Sequence, residues 1–256
     1  MFEAAVLETY GVGTVEAIVI AVGVFLAFAV RGGAGFGGGV VAVPIMALAS
    51  PLQVVVPLAS AYNVIAGLGQ GFHEWRAVAW REMARIMPFA LVGVQAGVWA
   101  LANVDPAPLS RAFGIFIVAY ALYTLRMGGH VPRVPQRWLL PAVAVSSFTG
   151  GFIGSVFGGA AGPIFAIYLL SVGTARDSFR ATMTTLMLSL SGARIVSLAA
   201  KGLYTDKVLF LLVCGTPLVF LGSYLGARVG RRMDQQLFNR CIAGVILASG
   251  LILALR

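Results

Sequence analysis

The stretch Arg31-Gly-Gly-Ala-Gly-Phe-Gly-Gly-Gly-Val-Val-Ala-Val-Pro44 decides how the rest of the chain is read. A near copy of its core, Gly154-Ser-Val-Phe-Gly-Gly-Ala-Ala-Gly-Pro163, returns about 120 residues later. Both copies interrupt an apolar run, where each glycine weakens a helix by roughly 1 kcal/mol. Two physical reasons can keep such a run. Small residues let helices pack closely, or the helix breaks at membrane depth, which is tolerated only where irregular backbone is buried in protein or lines a cavity. Recurrence at corresponding places favours the break, and with it a site.

Composition agrees with a membrane setting. Of 256 residues 59% are hydrophobic and 11% charged, and mean hydropathy is +0.93. A soluble domain is about 25% charged, so the expected fold class is an all-α polytopic membrane protein. Its length leaves room for eight to ten crossings of ~20 residues and for no separate soluble domain. The net charge of +9, from 18 Lys+Arg against 9 Asp+Glu, would suggest nucleic acid in a soluble protein. Here the bases cluster at span ends, where topology and anionic lipid headgroups account for them, so lipid is an expected partner and nucleic acid is not. The first residues carry Glu3, Glu8 and Glu16 with no base before Arg31, the wrong charge for a cleaved signal peptide, so the first helix is expected to stay.

Apolar runs between charged or Pro/Gly punctuation fall at 14–30, 40–50, 52–71, 83–102 and 108–126, then at 138–156, 160–171, 178–200, 207–229 and 236–255. The second run of each set is short, roughly 15 Å as a helix, half of a ~30 Å hydrocarbon core. Phe36-Gly-Gly-Gly aligns with Phe157-Gly-Gly-Ala, Ser60-Ala-Tyr-Asn63 with Thr182-Met-Thr-Thr185, Gly93-Val-Gln-Ala-Gly97 with Gly222-Ser-Tyr-Leu-Gly226, and Gly114 with Gly244. The order is kept and the offsets grow only from 121 to 130, the mark of a duplication. Two repeats follow, residues 1–127 and 128–256. Five segments in each make the second inverted relative to the first: four full spans plus one short, Gly-broken segment per half. With the amino terminus outside, most arginines, Arg31 among them, fall on the inner side.

Arg194 is the one charge far inside an apolar run. A base there costs a few kcal/mol unless it meets a partner, water or an anion. It pairs with a backbone carbonyl or snorkels toward the loop at Lys201, or it holds an anion, with Ser189 and Ser197 on the same strip. The glycine clusters offer a second device. A helix starting after them points unpaired N–H groups and a positive dipole end into the break, and Gly37, Gly38, Gly39, Gly158 and Gly159 allow backbone to approach an anion closely. Asn63 and Thr185, at equivalent places in the third segments, either bond neighbouring helices or touch the substrate. Cys214 and Cys241 stand singly in apolar runs and are expected to pack in the core. No acid lies deep in any span, and Walker A, HExxH and GxSxG patterns are absent from the sequence. A catalytic residue, a metal site and a cofactor are therefore not expected, and the chain is read as no enzyme.

The duplicated glycine-rich segment with its proline, the Ser/Thr-bearing stretch after it and the GxxxG of each fourth segment resemble the sulfite exporter TauE/SafE family. The likeness spans essentially the whole chain. The second copy departs from the first, with Ala160 in place of the third glycine and proline placed earlier. The resemblance implies a bacterial inner-membrane permease exporting small sulfur-containing anions such as sulfite, sulfoacetate or related organosulfonates. An importer, a permease for another small anion such as a carboxylate, and a non-transporting assembly factor stay open beside it, and a homo-oligomer is compatible with each.

Overall fold

The computed structural model describes residues 10–34, 38–71, 75–127, 139–158, 162–229 and 250–253. Its helices are α1 (Thr14–Ala34), α2 (Gly38–Met46), α3 (Leu52–Gly71), α4 (Trp80–Asn103), α5 (Pro106–Met127), α6 (Leu139–Val156), α7 (Gly162–Ser171), α8 (Arg176–Ala200) and α9 (Asp206–Val229). A short 3-10 turn at Trp75–Ala77 precedes α4. Among the described residues there is no strand. Apolar runs read from the sequence match these helices within four residues at every end. The tenth run lies largely outside the described residues, of which 250–253 are helical.

The chain is a polytopic membrane protein. Five stretches, Thr14–Gly32, Trp80–Asn103, Leu139–Val156, Ser178–Ala200 and Asp206–Arg228, are long and apolar enough to cross a bilayer, and Leu52–Gly67 and Pro106–Ala119 are shorter apolar helices. Both short segments form helices of about two and a half turns, each starting on the last glycines of its cluster, Gly38 and Gly39 in α2 and Gly162 in α7. In α2, Gly38 to Pro44 and Met46 are all buried. A helix hydrophobic on every side belongs inside protein, and its backbone ends are thereby kept from lipid.

Packing has a reciprocal pattern. α4 lies along α6, and α9 lies along α1; α1 packs on α2, and α6 on α7; α2 meets α3, and α7 meets α8; α4 touches α8, and α9 touches α3. At the centre α3 crosses α8. The α4–α6 and α9–α1 seams are close because glycines form them. A Cβ added at Gly151 would stand 2.1 Å from the Ala90 carbonyl oxygen, and one at Gly226 would stand 1.9 Å from that of Ala29. Small residues that admit backbone-to-backbone contact replace the hydrophobic drive that lipid removes.

The core runs through α1 to α4, α7 and α8, with Phe28, Tyr62 and Phe165 fully enclosed. α9 buries only the face toward α1 and α3, leaving Val213, Phe220, Leu221 and Tyr224 exposed. Cys214 shares the outward side and is exposed, so it does not pack in the core as its apolar run suggested. Cys241 lies outside the described residues.

Candidate functional site

α3 is the element on which the polar groups converge. Pro57 lacks the N–H that a helix interior uses, and the Pro57 carbonyl accepts the Tyr204 hydroxyl at 3.2 Å. The Tyr62 hydroxyl donates to the Leu211 carbonyl at 2.6 Å and ties α3 to α9. Gly215 makes room for it, since a Cβ there would meet the Tyr62 oxygen at 2.1 Å. Beside these anchors Ser60 and Asn63 stand three residues apart, neighbours on one helix face.

Arg194 reaches that face from α8. It is 3% exposed; its Nε donates to Ser155 Oγ at 3.2 Å and its Nη1 to Ser60 Oγ at 3.3 Å. Ser60 passes its own proton to the Val56 carbonyl at 2.8 Å, so the oxygen that faces the guanidinium is an acceptor. The side chain does not snorkel to the loop at Lys201. It turns inward, tying the end of α6 to the middle of α3. Ser189 and Ser197 are not its partners; Ser197 donates to Ala193 on its own helix.

A second buried arginine stands one turn along α3. Arg31, which charge asymmetry assigned to the inner loops, is only 7% exposed and folds back into the protein near the end of α1. Its Nη1 donates to Asn63 Oδ1 at 2.6 Å and to the Asn63 carbonyl at 3.3 Å. The Asn63 amide nitrogen donates to the Ala59 carbonyl at 2.8 Å, which aims the amide oxygen at the arginine. The sequence signal for Arg31 was its position directly before the glycine cluster. At the end of an apolar run, a base that anchors a helix and a base that turns into a break look alike.

The expected site residues are partly gathered here. Gly38 opens α2 beside this pair, its added Cβ lying 3.4 Å from Arg31 Cδ and 3.6 Å from Asn63 Oδ1. Gly39 is buried in the same first turn. Gly158 has φ +63°, a left-handed conformation, and packs against Val43 of α2 and Ala59 of α3. Both breaks thus face α3 within about one turn of each other. Thr185 is buried on α8, nine residues from Arg194, or about 13 Å along the axis. Gly37 and Gly159 lie outside the described residues.

Among the described residues neither arginine pairs with a carboxylate, and no group of His, Cys, Asp or Glu is arranged to hold a metal. Acids sit instead at helix starts. Glu16 at the start of α1 accepts Lys207 at 2.8 Å and the Ser50 hydroxyl; Glu82 at the start of α4 accepts Arg85 at 2.6 Å and the Tyr168 hydroxyl at 2.8 Å. Two buried guanidinium groups are thus held by neutral oxygens, leaving positive charge inside the protein without a carboxylate partner among the described residues.

The sequence model of the family described as "Sulfite exporter TauE/SafE" matches residues 19–253. The chain belongs to that family. A TauE/SafE chain is a membrane transporter, and the matched residues include both glycine breaks and both arginines. The chain is also 27% identical over 194 residues to the "Probable inner membrane transporter protein TsaS" of Comamonas testosteroni, covering 75% of this chain and 79% of that one. No solved structure matches.

Proposed function

We propose that this family member exports small sulfur-containing anions, such as sulfite, sulfoacetate or related organosulfonates, across the bacterial inner membrane. The path runs between two inverted repeats, residues 1–127 and 128–256. The observation that carries this reading is Arg194, a guanidinium deep inside the protein whose hydrogen bonds go to two serine hydroxyls. The description of the family supports the substrate class, and the name of the TsaS relative supports transport at the inner membrane. The reciprocal pairing of α4 with α6 and α9 with α1 supports the inverted arrangement. Gly37, Gly38, Gly39, Gly158 and Gly159 give close backbone approach at the two breaks, Asn63 and Thr185 offer neutral contacts along the path, and Arg194 attracts the charge.

Direction follows from electrostatics. A cell interior negative by about 100 mV drives each negative charge outward with ~2.3 kcal/mol. An exporter of anions runs downhill on that potential without a coupling ion, in keeping with acids at helix starts and not along the path. Purified protein in liposomes loaded with sulfite, sulfoacetate or thiosulfate tests the reading. The expected result is efflux that rises with an interior-negative potential in the absence of proton and sodium gradients. A strict need for either gradient would overturn uncoupled export, and no movement of all three anions would overturn the substrate class.

A further inference from the structure

Arg31 has donors that the protein leaves unused. Its Nη1 is taken by Asn63, but its Nε, though buried, has no hydrogen-bond partner. The Phe28 ring lies 6.0 Å from the guanidinium carbon, at the outer limit for a cation–π contact. Gly67 packs closely on the group: a Cβ there would stand 3.3 Å from Nη2 and 3.1 Å from Leu188 Cδ1, so a larger residue would press on the guanidinium. The amino end of α2 opens on the same corner, Gly38 lying against Arg31, and the first turn of a helix carries N–H groups with no partner inside the helix. A buried donor left unmade costs about 1–3 kcal/mol, more for a charged group, and a guanidinium presents adjacent N–H groups that match two oxygens of an oxyanion.

We propose that Arg31, with the amino end of α2, forms a second oxyanion station, separate from that of Arg194 and one turn further along α3. The inference rests on the anion-permease reading and adds to it the number and order of binding places. Ser60, which holds Arg194, lies nearer the Ser50 end of α3, where Glu16 and Lys207 meet; Asn63, which holds Arg31, lies nearer the end leading to Arg76. An anion entering from the Arg76 end meets Arg31 first and Arg194 second. Two stations in series also answer a kinetic need, since a single deep site that binds well enough to admit an anion releases it slowly.

Equilibrium binding of radiolabelled sulfite to the purified full chain, kept free of oxygen, tests the stoichiometry. Wild type is expected to bind two sulfites, Arg31→Gln and Arg194→Gln one each, and the double variant none. Asn63→Asp supplies a variant in which Arg31 is not left unpaired: a carboxylate against Arg31 should empty this station while the protein stays monodisperse, reducing two sulfites to one. Arg31→Lys should retain two, with the weaker one loosened about tenfold or more. One sulfite in wild type, lost equally in Arg31→Gln and Arg194→Gln, would mean a single shared site and overturn the second station. Two sulfites surviving in Asn63→Asp would overturn it as well. No binding of sulfite by folded wild type would instead count against sulfite as the substrate, and so against the reading on which the station rests.

Discussion

The two breaks arrive at α3 with the same charge but by different constructions. At the first, the helix that ends there supplies its own arginine, Arg31, and Gly38 has room around it, with the nearest atom to an added Cβ at 3.4 Å. At the second, the helix that ends supplies only Ser155, the arginine comes across from α8, and Gly158 is held left-handed with Val43 Cγ2 2.4 Å from where a Cβ would be. The two glycine breaks thus share a meeting place and differ in their parts. Glycine is favoured at the second break by its left-handed backbone; at the first, an added Cβ would meet Arg31 and Asn63 at ordinary contact distance.

The largest effect expected bears on what the halves share. Gly226→Val and Gly151→Val each drive a side chain into a facing backbone carbonyl, and the α9–α1 and α4–α6 seams should lose roughly 3 kcal/mol or more. The yield of monodisperse protein and its melting temperature should fall alike in both. A large loss in one variant alone would break the equivalence of the seams. Next comes the contrast between the breaks. Gly158→Ala should cost about 1–2 kcal/mol for the left-handed backbone, beyond the displacement of Val43. Gly38→Ala should be close to neutral in thermal unfolding, and a loss there matching that of Gly158→Ala would show that the first break needs its glycine too.

Smaller effects sharpen the picture around α3. Asn63→Ala removes a hydrogen bond to a charged group, worth about 1.5–3 kcal/mol, and sulfite flux should fall roughly tenfold at low sulfite concentration. Thr185→Ala, about 13 Å along α8 from Arg194, should change flux by less than about threefold; equal losses in these two would place the path along α8 as much as α3. The smallest effect belongs to the end clusters. Glu16→Gln loses an ion pair at the water-facing start of α1, where such pairs contribute about 0–1 kcal/mol, and the melting temperature should drop by a few degrees at most.

The arrangement of segments was largely readable because its causes are local. Apolar length, the Gly-Phe-Gly-Gly break and the repeated GxxxG each act through neighbouring residues, and the helices begin and end close to where that punctuation falls. Arg194 was readable for the same reason, as a charge with apolar residues on both sides. What was hidden depended on partners distant in sequence. Arg31 reads as a loop anchor until α3 is placed against α1, bringing Asn63, 32 residues later, to its guanidinium. Ser155 and Ser60 stand inside the repeated stretches, but nothing there marks them as arginine partners, since serines in apolar helices usually bond their own backbone, as Ser146 and Ser197 do here. Cys214 was misjudged because an apolar run in a membrane helix does not say which face meets lipid.

The most direct test of the central claim is sulfite efflux from liposomes under an imposed interior-negative potential, wild type against Arg194→Ala. Wild-type efflux should accelerate with the potential and fall at least tenfold in the variant, while the variant stays monodisperse and melts within a few degrees of wild type. Undiminished efflux through folded Arg194→Ala would contradict the account, because the buried charge on which it rests would then have no part in moving the anion.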